Sequence, residues 1–122
     1  MTMDVSAGLI VRDKKILVTF DESREVWDVP TAAGESGELS SQTAERAVEK
    51  AIGMECEVTK YRGKLKTEIS YEDELINWQP YSVEIEGEPE EGKWISLKEI
   101  DPEDEEIADP LPRLAEKMSK KF

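Results

Sequence analysis

The chain has no histidine and a single cysteine among 122 residues, and those two shortages close off much chemistry. Histidine-ligated zinc is excluded, Cys56 cannot form an internal disulfide, and any metal would have to be held by oxygen. Cys56 has no imidazole to activate it and reads as a small, buried or half-buried residue. No apolar run approaches the ~20 residues that span a bilayer, and the opening MTMDVSAG lacks a basic region followed by an apolar stretch. A cytoplasmic protein without a membrane partner is therefore expected. Cations are scarce as well: 16 Lys and Arg face 29 Asp and Glu, giving a net charge of −13 and a pI near 4.4. Affinity for DNA or RNA is built from Lys and Arg neutralising phosphates, so nucleic acid is not an expected partner.

The length suits one domain, residues 1–122, burying roughly two-thirds of its unfolded surface. Acid is concentrated late, in EIEGEPEEG and DPEDEEIAD, which read as solvated loops, whereas the last turn carries Arg113, Lys117, Lys120 and Lys121. Residues 5–11 and 16–20 are apolar, β-branched runs around the charged turn at 12–15 and predict a β-hairpin. Trp27-Asp28-Val29 predicts a short third strand stopped by Pro30. The segment TAAGESGE predicts a glycine-containing loop. A helix is expected over 40–52, with Ser40 and Ser41 as cap candidates and Gly53 as the stop.

At 100° per residue, Ala44, Ala47, Val48, Ala51 and Ile52 of that helix share an arc of about 140° and form its buried stripe. Glu45 and Glu49 fall on the opposite side. Residues 55–66, 75–85 and 93–96 predict further strands, with a turn near Tyr71-Glu72-Asp73. Asp109-Pro110 is a good start signal for a C-terminal helix to about Lys120.

The stretch WDVPTAAGESGELSSQTAERAVEKAIGM, residues 27–54, resembles the Nudix box: Gly, five residues, Glu, seven residues, then Arg-Glu-U-x-Glu-Glu-x-Gly-U, with U a bulky aliphatic. Glu38, Arg46, Val48, Gly53 and Met54 fall in register, and Trp27, Pro30, Glu35 and Gly37 match what leads into the box. The late EGKWISLKEI is similar to the family's tryptophan-bearing strand. The resemblance covers essentially the whole chain and implies a Nudix fold, an α/β/α sandwich around a mixed β-sheet.

In that family water cleaves a diphosphate with Mg²⁺ or Mn²⁺ held by clustered glutamates, because a divalent ion neutralises and positions a polyanion and activates the water. The resemblance places the glutamate positions on Ala47, Lys50 and Ala51, within about 100° of one another on the helix, and a fourth on Lys93. Formal charge there changes from about −4 to +2, against Coulomb terms of ~4 kcal/mol per close pair at an effective dielectric of 20. The expectation is no metal at the family site and no cofactor.

The resemblance also implies that Glu38 and Arg46 form a structural salt bridge, and that Thr31-Ala32-Ala33 stands where the family has a glycine-glycine turn. The leading expectation is a Nudix-family protein that binds a small nucleotide-like or other anionic ligand, with Lys50 and Lys93 as a fixed positive pair beside Arg46 and with little or no metal-dependent hydrolysis. Trp27 and Trp94 are expected in the core, leaving Trp78 for ligand stacking or a dimer contact. One alternative is an active hydrolase using Glu35 and Glu38 as catalytic residues with Mg²⁺ or Mn²⁺. Another is a partner-binding module. Homodimerisation is compatible with all three.

Overall fold

The computed structural model describes residues 2–71, 74–100, 103, 106–108 and 111–119. In chain order the strands are β1 (Thr2–Leu9), β2 (Val11–Arg12), β3 (Lys15–Asp21), β4 (Val26–Asp28), β5 (Thr31–Ala33), β6 (Glu57–Tyr61), β7 (Thr67–Tyr71), β8 (Glu74–Glu84) and β9 (Lys93–Ser96). The helices are α1 (Ser40–Ile52) and α2 (Leu111–Ser119).

The spine is a parallel pair, β1 with β8, in register from Thr2 opposite Leu75 to Leu9 opposite Ser82. Antiparallel β5 completes the other edge of β1, while β6 and β7 line the far edge of β8, giving a mixed five-stranded sheet. A second sheet is built on β3, which pairs antiparallel with β2, β4 and β9.

Helices cover both faces. On one side α1 sets Ala44, Val48 and Ile52 against Leu17, Tyr81 and Val83; on the other α2 sets Leu111, Leu114 and Met118 against Ala7, Leu9 and Trp78. Burying side chains such as Val48 and Ile52 contributes roughly 1.5–3 kcal/mol each. Gly8 is where α1 lies closest, since a Cβ there would come within 2.3 Å of Val48 Cγ2. The α/β/α layering expected from the sequence is present.

Several local expectations are corrected. The hairpin is shorter than residues 5–20: only Val11 and Arg12 fold back onto Ile16 and Lys15, through Asp13 and Lys14 at φ 50 and 63, the left-handed pair a tight two-residue turn needs. β1 breaks away before it and pairs with β8 in the other sheet. Thr31–Ala33 is a strand on β1, not the opening of a loop, because residues with a Cβ favour extended backbone where the family's glycines would turn.

The helix spans the expected residues and stops at Gly53, φ 67, but neither serine caps it. Leu39 occupies the cap position, its N–H donating to Gln42 Oε1 at 3.0 Å and its carbonyl accepting from Thr43 N–H at 3.0 Å. The Ser40 hydroxyl pairs instead with the Tyr81 hydroxyl. The strand expected over 55–66 is confined to Glu57–Tyr61 and followed by a 3-10 turn, Gly63–Leu65. Tyr71 pairs with Glu74, and Glu72 and Asp73 lie outside the described residues, as do Asp109, Pro110 and Lys120.

Candidate functional site

A cleft of about 790 Å³ opens between α1, β5 and the β3–β4 end of the second sheet. It is α1 that decides its chemistry. The helix presents Arg46, Ala47, Lys50 and Ala51 to the cleft, so the positions the family fills with glutamates carry two methyl groups and an ammonium. Ala47 is buried, Ala51 half-buried and Lys50 exposed.

Glu38 is fully engaged. Its Oε1 accepts from the Thr43 hydroxyl at 2.6 Å, Arg46 Nη2 at 3.0 Å and the Glu35 N–H at 3.2 Å, while Oε2 accepts from Arg46 Nε at 2.9 Å. The Arg46 and Thr43 hydrogen bonds hold its carboxyl down at about 2 and, reciprocally, raise Arg46 above its ordinary value. Arg46 Nη2 also donates to the Ala33 carbonyl at 2.7 Å, and Glu35 stands 3.9 Å from Arg46 Nη1 with its side chain 71% exposed. Three donors crowd Oε1 and one engages Oε2, so both oxygens of the carboxylate are committed to the loop and the helix. Glu38 and Arg46 clamp the loop to the helix.

These residues do not fit a divalent ion. Mg²⁺ needs several oxygens in near-octahedral array, and among the described residues no group of three His, Cys, Asp or Glu is placed to hold one.

The opposite wall holds a network that sequence reasoning missed. Arg24 donates from Nε to Asp21 Oδ2 at 2.7 Å and from Nη2 to Asp28 Oδ2 at 2.8 Å. Asp28 Oδ1 accepts from the Val29 N–H at 2.8 Å. Burial pushes the Asp28 carboxyl up to about 6, with Arg24 only partly offsetting it. Burial also acts to raise Asp21, but hydrogen bonds from Ser23 and Arg24 outweigh it and bring that carboxyl down to about 2.

Arg24 and Asp28 also border a second cavity of about 910 Å³, whose walls include Val5, Ile76, Trp78 and Ile107. Asp21, Arg24, Asp28 and Thr31–Ala33 line both cavities and so form the wall they share, with α1 on one side and the apolar residues between the sheets on the other. The signal in DESREVWD was an arginine three residues after one aspartate and four before another. Nothing local marked the apolar wall, which is assembled by strand pairing.

Trp27 and Trp94 pack against the core as expected, and Trp78 departs from expectation. Trp78, 2% exposed, is the buried one and packs under α2, since its side of β8 faces the inner core. Trp27 and Trp94 are half-buried. Trp27 lines the cleft, with Phe20 edge-on at a centroid distance of 5.3 Å. Lys93 does not line the cleft beside Lys50; its ammonium sits 4.1 Å from the centre of the Trp27 ring. Trp94 carries the Arg12 guanidinium at 5.6 Å. Cys56 is half-buried, its thiol pushed up to about 11 by burial and by Glu49 and Glu45. Among the described residues no helix is long and apolar enough to cross a membrane.

No protein-family model matches the sequence, and no curated protein matches it. Solved structures do match in fold. A NUDIX hydrolase from Nitrosomonas europaea is similar with a TM-score of 0.82 at 17% identity, over 99% of this chain and 90% of that one. A MutT NUDIX hydrolase from Burkholderia pseudomallei gives 0.78 at 17% identity, over 95% and 97%. A UDP-X diphosphatase gives 0.74 at 14% identity, over 99% of this chain and 64% of that one. With its central mixed sheet, flanking helices and loop-helix clamp, the chain has the Nudix fold.

Proposed function

We propose that the cleft binds a small anionic, nucleotide-like ligand without a metal ion, and that the chain does not carry out metal-dependent pyrophosphate hydrolysis. The observation that carries this reading is Lys50. Of the cleft's cations, Arg24 is held by Asp21 and Asp28 and Arg46 by Glu38, whereas Lys50 has no ion pair among the described residues. Its ammonium stands where the family sets carboxylates for a metal, and meets the phosphates directly instead. Glu22, Glu35 and Glu91 also line the cleft but are exposed, so salt and water screen them and leave attraction local to Lys50.

The test pairs turnover with binding. Phosphate release from nucleoside triphosphates, ADP-ribose, dinucleoside polyphosphates and NADH is expected to be equal with Mg²⁺, Mn²⁺ or EDTA. Calorimetry in EDTA is expected to show ADP or pyrophosphate binding that weakens with salt and falls about tenfold in Lys50→Ala, the scale of one lost charge-assisted hydrogen bond. EDTA-sensitive turnover would sink the reading and shift attention to Glu22, Glu35 and Glu91, the cleft carboxylates not locked as Glu38 is.

A further inference from the structure

Lys93 is the cation that the cleft does not use. It opens β9 immediately after Gly92, which lines the cleft at φ 90 and where a Cβ would lie 2.6 Å from the Val18 carbonyl oxygen. The backbone at this point is therefore fixed, and only the long lysine side chain is free to move. That side chain is exposed and, among the described residues, has no carboxylate partner; its ammonium lies over the Trp27 ring, 4.1 Å from the centroid.

Trp27 is a fixed platform. Its N–H donates to the Glu106 carbonyl at 2.6 Å and its carbonyl accepts from Ala108 N–H at 2.9 Å, while β4 pairs it with Phe20 on β3. Phe20 meets it edge-on, at an interplanar angle of 64°, so this neighbour does not stack flat upon the indole. Lys93 covers a ring face with a single ammonium. Such a contact at an exposed site is worth only about two- to fivefold in an equilibrium constant, less than an ammonium gains from the multiple charges of a diphosphate.

Resting on the binding role proposed above, we infer that Lys93 and Trp27 are the unassembled half of the ligand site. In the free protein the ammonium rests on the indole; on binding it transfers to the anionic group, and the uncovered Trp27 ring stacks on the planar group of the same ligand. Lys93 is thus a second anion-binding residue held in reserve, and the favoured ligand is an anion joined to a flat aromatic ring. Part of the electrostatic attraction is converted into a stacking surface that exists only once charge is present.

The experiment uses the whole chain labelled with 5-fluorotryptophan, its three ¹⁹F resonances assigned by single Trp→Phe changes and titrated in EDTA with pyrophosphate and then ADP, with calorimetry in parallel. Pyrophosphate is expected to move the Trp27 resonance and leave the buried Trp78 resonance in place, and ADP to move Trp27 further. In Lys93→Ala the Trp27 resonance should start displaced, pyrophosphate should no longer move it, and pyrophosphate affinity should fall about fivefold, with Lys93→Arg restoring most of it. Calorimetric binding with an unmoved Trp27 resonance, or full affinity in Lys93→Ala, overturns the inference while leaving the binding role intact. Absence of binding to the unsubstituted chain overturns both.

Discussion

Glu38 and Asp28 each hold an arginine that lines the same cleft, yet their carboxyl groups are driven in opposite directions. Glu38 is brought down to about 2 and Asp28 up to about 6. The difference lies in what balances burial. Glu38, with a side chain 16% exposed, collects four donors, two of them from one Arg46 whose other acceptors are the Ala33 carbonyl and a more distant Glu35. Asp28, 7% exposed, receives one bond from Arg24 and one from the Val29 N–H, and Arg24 is shared with Asp21. An ion pair is therefore not one kind of interaction. On the α1 wall it is a satisfied clamp; on the β4 wall it is a strained compromise in which desolvation exceeds the attraction.

The harshest way to break the comparison is to remove each arginine. Arg24→Ala leaves Asp28 buried and unpaired, and is expected to destabilise the fold by about 3 kcal/mol at pH 7.5 in urea unfolding. At pH 5 the loss should shrink, because Asp28 is then largely protonated and demands less of a partner. An equal loss at both pH values would show that Arg24 acts through packing rather than charge. Arg46→Ala should lower stability less, since Glu38, once released, remains near water.

Next in size is the pH dependence. Asp28 has a folded value of about 6, above its ordinary 3.8, so the folded state binds the extra proton. Its stabilising contribution is fully present below 3.8 and is lost as pH rises through 6, an effect of up to about 3 kcal/mol. Asp28→Asn should flatten the decline in stability between pH 4 and 7 measured by urea titration. If the decline persists in Asp28→Asn, another group carries it.

How much of this was legible in the sequence follows the range of the interactions. The helical period of Ala44, Val48 and Ile52 and the glycine at 53 located α1 to the residue, and the box-like spacing of Glu38 and Arg46 named the clamp. Both are encoded within one loop and one helix. The β1–β8 ladder joins distant segments, Thr2 opposite Leu75, and no local pattern distinguishes its parallel pairing from a long hairpin at residues 5–20. Trp78 was misplaced for a related reason: alternation in INWQPYS separates two faces, but both faces of this sheet are covered, so alternation cannot say which one is inner. The Asp21–Arg24–Asp28 network needs the β3–β4 turn closed before its three side chains meet. Lys93 was located by register at the family's fourth metal position, and only the fold reveals that its ammonium rests on Trp27 rather than beside Lys50.

The smallest expected effect completes the comparison from the acid side. Glu38 has a folded value below its ordinary 4.5, so it binds its proton less readily when folded, and its contribution is present above 4.5 and lost as pH falls toward 2. Asp21, also brought down to about 2, acts in the same window, so Glu38→Gln should remove only part of the acid limb. In Glu38→Gln the Thr43 hydroxyl and the Glu35 N–H can still donate to the amide oxygen, but Arg46 loses its charge partner, so thermal stability at pH 7 should drop by a fraction of the Arg24→Ala loss. As pH falls to about 2 and below, the variant and the unsubstituted chain should converge, because protonation then neutralises the carboxylate the substitution removes. Convergence at pH 5 instead would mean that the α1 clamp is no tighter than the β4 compromise, and that donor number does not set the direction in which a carboxyl group shifts.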